Sequence, residues 1–520
     1  MNITNGLPDE VLIKIFGFLS PHMLKNCNLV CKRWDDIISS SKELMSKFQL
    51  VIYGPDDYLD VQKLNRNQQS IIVRKLCAES LDAICHFNLS ELDVCYSENQ
   101  KLSDLVEAIR NLPMLKVFSA WEVKFEDDIP DIQSFERINI NIEKVHCVAE
   151  VIRIFDCSTL KNVRLLWNNE MPLERKLLTY ELLSKQKNLE YFILSEYQMD
   201  NFFHSREIFM KFQFRLKSFQ YFSAASPLKH YKNFIRFLDS QKSSLTTLDL
   251  EMQPRDMIKI ETIQKYVLEH MINLKTLRLD LSVRDEENTQ WISEIDEKLE
   301  PTQVTKNITS LKYKGPQTSL SKCKRLIDLF PNLKYLHFES DYVREFKVLK
   351  HVSKTQVNIE SLEFLSFHSD IVTSFSVYFP KLKNLSTFAI CDENAFSSFV
   401  SRHSTTLERI TIEDIDDMTE LTANAIMECE NLKYVKLGTW NDDLLSVMNL
   451  FHEISSRDKP LTFIYEFFSS STTFKFPEDK IFWDEKLGIE SEEIFIPTSK
   501  SNNVEKFFKA IWNGISVMFS

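Results

Sequence analysis

The sequence predicts an α/β protein in two parts, a small N-terminal helical module and a long curved solenoid of strand–helix repeats. Two observations carry this. The first forty residues hold three short amphipathic patterns, and an apolar L-x-x-L-x-L unit recurs from Leu89 almost to the end. With 520 residues the chain is too long for one compact core, so several domains or one elongated array are expected.

The helical module opens at Leu7-Pro8-Asp9-Glu10. Pro8 suits the first turn of a helix, where no backbone N–H partner is needed, and Asp9 and Glu10 place negative charge at the positive end of the helix dipole. Leu12, Ile15, Phe16 and Leu19 then fall on one apolar face. Ser20-Pro21 ends that helix and starts another, and Val30, Cys31, Trp34, Ile37 and Ile38 mark a third. Three helices in about forty residues enclose too little core to be stable alone, so their apolar faces need a partner surface in this chain or on another protein.

The run from Leu7 to Trp34 resembles an F-box, whose pattern reads Leu-Pro, an acid two residues on, an Ile-Phe pair, a Leu, and then Val-Cys-basic-x-Trp. In this chain the matching residues are Leu7, Pro8, Glu10, Ile15, Phe16, Leu19, Leu24, Val30, Cys31, Lys32 or Arg33, and Trp34. Met23 stands where the family often has Asp. The resemblance implies docking on a Skp-type adaptor and, through it, on a cullin. By that resemblance Leu7, Pro8, Ile15, Leu19, Leu24, Val30 and Trp34 lie on the adaptor-facing surface or support it.

The repeat starts at Leu89, Leu115, Phe135, Leu160, Leu189, Leu216, Leu245, Leu274, Ile308, Leu333, Leu362, Leu385, Leu407, Leu432 and Leu461. Its intervals run from 20 to 34 residues. Helical patterns lie between the strand signals, as in Ile260, Ile263, Val267 and Met271, in Thr422–Leu432 and in Asp443–Ile454. A strand and a helix cannot bury each other singly; stacked units share one continuous core. Phe replaces Leu in several units (Phe118, Phe192, Phe219, Phe388), and the Asn or Cys usual after the strand is mostly missing. The array resembles the irregular leucine-rich repeats of F-box/LRR proteins. Phe48–Tyr53 reads as an opening strand, which gives 1–47 as the F-box, 48–468 as repeats and 469–520 as a capping segment. Val504, Phe507, Phe508, Ile511, Trp512 and Ile515 form one helical face in that last segment.

Side chains alternate along a strand, so the positions between the core Leu residues face the concave wall. Counting from each first position places Asp249, Glu251, Arg278, Asp280, Lys312, Tyr335, His337, Phe364, His368, Arg409, Tyr434, Lys436, Phe463, Tyr465 and Phe467 there. Exposed aromatics are common binding anchors, which selects Tyr335, Tyr434, Lys436, Phe463, Tyr465 and Phe467 as substrate-binding candidates.

Composition argues against other classes. The formal charge of −12 disfavours a general nucleic-acid surface. It is unevenly spread, with eight Lys or Arg against two acids over 206–242, and seven acids without a Lys or Arg over 413–430. The ten cysteines include no C-x-x-C pair, so no zinc site is expected and a reducing compartment is, cytoplasm or nucleus. No signal peptide or membrane span is predicted. No two of the seven glycines are closer than eleven residues, which excludes Gly-rich phosphate loops, and neither H-E-x-x-H nor G-x-S-x-G occurs. The expectation is a non-enzymatic, cofactor-free subunit that positions a protein substrate for ubiquitin transfer and degradation. The alternative is a scaffold or inhibitor that binds the adaptor and delivers nothing.

Overall fold

The computed structural model describes residues 7–19, 21–52, 68–74, 84–85, 87–95, 102–121, 123, 137–156, 158–167, 173–196, 202–203, 211–223, 230–252, 257–280, 302–314, 320–339, 342–367, 377–415, 419–439, 461–468 and 489–496. The chain forms two compact units, Met1–Tyr266 and Val267–Ser520.

The first unit begins with α1 (Asp9–Gly17), α2 (Pro21–Asn28), α3 (Lys32–Ser40) and the single turn α4 (Lys42–Met45). Leu12, Phe16, Leu24, Ile37, Ile38 and Leu44 form its core, flanked by half-buried Leu7, Leu19, Trp34 and Phe48. Ile15 differs from the sequence reading. It lies 43% exposed, one step round the helix from the buried Leu12 and Phe16. Polar ties close the bundle: Arg33 donates to the Leu7 carbonyl at 2.5 Å and pairs with Asp9 at 2.6 Å, while the Lys47 ammonium donates to the carbonyls of Gly17 and Leu19.

Nine strands follow: β1 (Gln49–Ile52), β2 (Ser70–Val73), β3 (Glu91–Cys95), β4 (Val117–Trp121), β5 (Lys144–Val148), β6 (Asn162–Trp167), β7 (Tyr191–Glu196), β8 (Ser218–Ser223) and β9 (Thr247–Met252). Every pairing between successive strands is parallel, a geometry that needs a crossover between each pair. Helices supply several of these: α5 (Leu102–Arg110), α6 (Ala149–Ile152), α7 (Leu173–Lys185) and α8 (Tyr231–Gln241); α9 (Met257–His270) follows β9. Registers align like with like. Leu92, Phe118, Val145, Val163, Phe192, Phe219 and Leu248 make one buried row across the sheet. The chain's abundant Phe is explained by the helical side of that row. Phe202 meets Phe192 from the β7–β8 connection, Phe203 packs on Phe202, and Phe234 and Phe237 reach down from α8 onto Phe203 and Phe219, with neighbouring centroids 4.9–6.2 Å apart.

In the second unit β10 (Thr276–Asp280), β11 (Ser310–Lys314), β12 (Tyr335–Glu339), β13 (Ser361–Phe367), β14 (Asn384–Ile390), β15 (Arg409–Asp414), β16 (Tyr434–Thr439) and β17 (Leu461–Phe468) again pair in parallel. The final strand, β18 (Ile489–Ile496), joins β17 antiparallel, inside the segment read as a cap. Described helices are α10 (Gln303–Asn307), α11 (Leu320–Asp328), α12 (Tyr342–Thr355), α13 (Glu393–Arg402) and α14 (Glu420–Met427). The helical patterns at Asp443–Ile454 and Val504–Ile515 lie outside the described residues, as do Phe135 and His368.

The register corrects four repeat starts, those read at Phe135, Leu362, Leu385 and Leu461. Ile142, not Phe135, precedes the buried Val145 and Cys147 of β5. Leu336 aligns with Leu362 and Phe338 with Phe364, so that unit starts at Ile359; the next starts at Leu382. Phe364 is therefore 1% exposed and belongs to the core rather than the open wall, while Phe388, read as a core residue, is 45% exposed. In β17, Phe463 aligns with the buried Val435, Tyr465 with the buried Leu437, and Phe467 with Thr439. A register shift by an odd number exchanges the two faces.

Three ladders tie successive repeats together at the turns before the strands. Inside, Gln186 and Gln241 end their helices with side chains that accept the buried N–H groups of Leu160 and Leu216 in the preceding repeat, at 3.3 and 2.9 Å. His403 does the same for Phe379 through Nε2 at 3.0 Å, its Nδ1–H donating to the Phe399 carbonyl at 2.7 Å. At the turn before the strand, Asn307, Asn332 and Asn431 donate to the carbonyls of Ile272, Lys306 and Thr405 at 2.7–2.8 Å. Two residues further on, signs alternate along the exposed edge. Lys116, Glu143, Lys161, Glu190 and Lys217 occupy successive positions in the first unit, and Lys334, Glu360, Lys383, Glu408 and Lys433 in the second. Paired rungs close to 2.6–3.1 Å at Lys161–Glu143, Lys217–Glu190, Lys334–Glu360 and Lys433–Glu408.

Candidate docking surfaces

Helix α1 is apolar on two sides. Leu12 and Phe16 face the bundle, whereas Val11, Ile15 and Phe18 recur at i, i+4 and i+7 on a second stripe that stays 39%, 43% and 90% exposed. Leu29 and Val30, in the α2–α3 turn, are 85% and 61% exposed. Five large apolar side chains uncovered within twenty residues is far more than a small soluble module needs. Pro8 is exposed beside them in sequence, at the α1 N-cap.

Of the predicted adaptor-facing residues, Pro8, Ile15 and Val30 are exposed, and Leu7, Leu19 and Trp34 are half-buried. Leu24 is fully buried and can only support the surface from behind. Trp34 is also a packing residue, edge-on to Phe16 with centroids 5.0 Å apart. Val11, Phe18 and Leu29 were missed. Val11 and Phe18 could be read from the sequence as a second apolar stripe beside Ile15, whereas Leu29, in a turn, carries no such periodic signal.

An F-box-like family matches residues 4–49, the span of this bundle. Residues 4–49 are an F-box-like domain. A probable FBD-associated F-box protein of Arabidopsis thaliana is 22% identical over 174 residues, covering 30% of this chain and 48% of the relative. The chain thus matches about half the length of that curated relative. Among solved structures, a complex of TLR13 with ssRNA13 aligns over 72% of this chain and 56% of that one, at 12% identity and a TM-score of 0.31.

The open side of the sheet in the second unit carries the predicted residues Tyr335, Tyr434 and Lys436. Tyr335 is not a free anchor. Its hydroxyl donates to Glu363, and burial followed by that carboxylate raises its pKa. Around it Glu363 lies 2.5 Å from His337 Nδ1 and 3.5 Å from the Lys312 ammonium, and Glu339 lies 2.8 Å from Lys314 and 3.8 Å from His337 Nε2. Burial alone would lower the His337 pKa, but Glu339 and Glu363 outweigh it and raise the value. Burial likewise pushes Glu363 up, yet His337, Tyr335 and Lys312 bring it down to about 2. Glu339 falls to about 2 through His337 first, against burial, and then Lys314. The cluster is an ion-paired knot on the sheet. Further along, the Arg409 guanidinium lies 4.1 Å over the Tyr434 ring, with Lys436 two residues on along the strand.

Among the described residues no group of three His, Cys, Asp or Glu side chains is arranged to hold a metal ion, and no helix is long and apolar enough to cross a membrane.

Proposed function

We propose that this chain is the substrate-recognition subunit of a cullin-RING ubiquitin ligase. Its F-box docks on a Skp-type adaptor through Pro8, Val11, Ile15, Phe18, Leu29 and Val30, with Leu7, Leu19, Leu24 and Trp34 holding them in place. The open face of the repeats receives a protein substrate, Tyr434 and Lys436 included. Phe463 and Tyr465 are left out of that surface, because they align with the buried Val435 and Leu437 of β16; Phe467 aligns with Thr439. The chain contributes position, and transfer chemistry comes from the enzymes the cullin recruits. The observation that carries this reading is the uncovered apolar stripe of α1 and the α2–α3 turn, lying inside the span matched by the F-box-like family.

Affinity capture of the tagged chain from cells tests it. Adaptor and cullin should be recovered with the wild type and lost on Leu7→Ala/Pro8→Ala, with the repeats still folded. Bound partners should accumulate when the chain is depleted. Capture without accumulation would make it a scaffold instead.

A further inference from the structure

Outward positions on the described strands of the second unit are mostly polar, as in Ser310, Lys312, Ser361, Glu363, Ser386 and Thr411, with Tyr335, Leu365, Phe388 and Tyr434 as apolar or aromatic exceptions. The first unit gathers apolar side chains on that face over β5–β8. Val148 aligns with Leu166, Ser195 with Phe222, and Ile193 lies in the next row between Arg164 and Gln220. Val148, Leu166, Ile193 and Phe222 are half-buried on the side opposite the buried row, and Tyr191 on the same side is 43% exposed. Charge flanks this strip unequally. Lys144 and Arg164 stand at its β5–β6 end, and Asp249 and Glu251 at its β9 end, where Glu251 aligns with Phe222.

We infer that the open face of β5–β9 docks an extended segment of a partner protein bearing an acidic and a basic side chain about four residues apart, with a large apolar side chain between them. The spacing follows from the sheet. From β6 to β9 is three strand steps, about 14 Å, which an extended chain crossing the strands covers in about four residues. The acid meets Arg164 and Lys144, the base meets Glu251, with the buried Asp249 behind it adding negative charge, and the apolar side chain rests on Ile193, Leu166 and Phe222. Complementary charge at both ends fixes register and direction, while the apolar centre supplies the desolvated contact. This rests on the substrate-recognition reading and gives that substrate a chemistry.

Panning the purified full-length chain against random nine-residue peptides displayed on phage tests it. The wild type should enrich peptides with an apolar residue between an acid and a base four positions apart. Arg164→Glu should replace the selected acid by Lys or Arg. Ile193→Ser, or Leu166→Ser as a second variant, should lower recovery at least tenfold with an unchanged circular-dichroism melt. Peptides without the pattern, equal recovery by both serine variants, or no enrichment would overturn the inference. Binding of recombinant Skp-type adaptor to the same preparation separates the two readings. Adaptor bound without the peptide pattern removes the strip alone, and the pattern without adaptor binding removes the ligase reading alone.

Discussion

Between Leu7 and Phe48 the F-box buries Leu12, Phe16, Leu24, Ile37, Ile38 and Leu44 and leaves Val11, Ile15, Phe18, Leu29 and Val30 in water. Between Ser218 and Leu250 the repeats do the reverse. Phe219, Tyr221, Phe234, Phe237, Leu248 and Leu250 are all sealed, and even the buried amide of Leu216 has its own acceptor in Gln241. The difference teaches where each part finds its missing contacts. A repeat finds them in the next repeat, a neighbour guaranteed by the chain. The F-box has too few residues to cover its second apolar stripe, and in the proposed function an adaptor supplies those contacts.

Breaking the outward stripe should have the largest effect. Phe18→Asp with Ile15→Asp should weaken adaptor binding more than a hundredfold by surface plasmon resonance while the chain's far-ultraviolet spectrum stays unchanged, because neither side chain belongs to the core. An inward change should act oppositely. Phe16→Ala, removing a 2%-exposed ring packed on Trp34, should cost about 3–5 kcal/mol of local stability. Hydrogen exchange should rise across 9–40 and not in the strands.

The repeats should respond to loss of their ladders instead. Gln241→Leu leaves the buried Leu216 amide without its acceptor and should cost about 1–3 kcal/mol, read as a lower denaturation midpoint. His403 gives the same device a pH dependence. Burial holds its pKa at about 4 against an ordinary 6.5, so the folded state prefers the neutral ring. Above 6.5 its contribution is complete, and as pH falls from 6.5 towards 4 the unfolded chain takes up the proton first. Roughly 3 kcal/mol at most should be lost over that window, and His403→Gln should flatten it. Gln fits because Gln186 and Gln241 already fill the corresponding place in other repeats. His337 has the opposite sign. Its raised pKa stabilises below 6.5, and that part fades as pH rises through the folded value. The smallest change is expected at the edge. Glu408→Gln removes a rung to Lys433 that is open to solvent, and should shift stability by under about 1 kcal/mol, an effect that salt abolishes.

Much of this architecture was legible because a parallel strand–helix array repeats one burial rule. Leu248 and Leu250, or Leu311 and Tyr313, announce their strand by apolar spacing alone, and the structure places them in the core. The errors fell where two registers satisfy the same pattern. Ile359-x-x-Leu362-x-Phe364 and Leu362-x-x-Leu365-x-Phe367 are equally good units on paper, and only pairing with Leu336 and Phe338 chooses between them. β2 escaped notice because Gln68 stands where a repeat normally starts with Leu; it is buried and donates to the carbonyls of Phe48 and Ser70. The ladders could not be read at all, since Gln241 and Leu216 are 25 residues apart and meet only once the repeats stack. In the F-box the motif gave the docking module, but Leu29 looks like an ordinary core residue until the α2–α3 turn leaves it 85% exposed.

The need of the F-box for an outside surface is tested most directly by hydrogen–deuterium exchange on the full chain with and without recombinant Skp-type adaptor. Exchange over 9–18 and 27–34 should slow at least tenfold when adaptor is added, and Phe18→Asp should prevent it. Equal exchange in both samples at saturating adaptor would contradict the account.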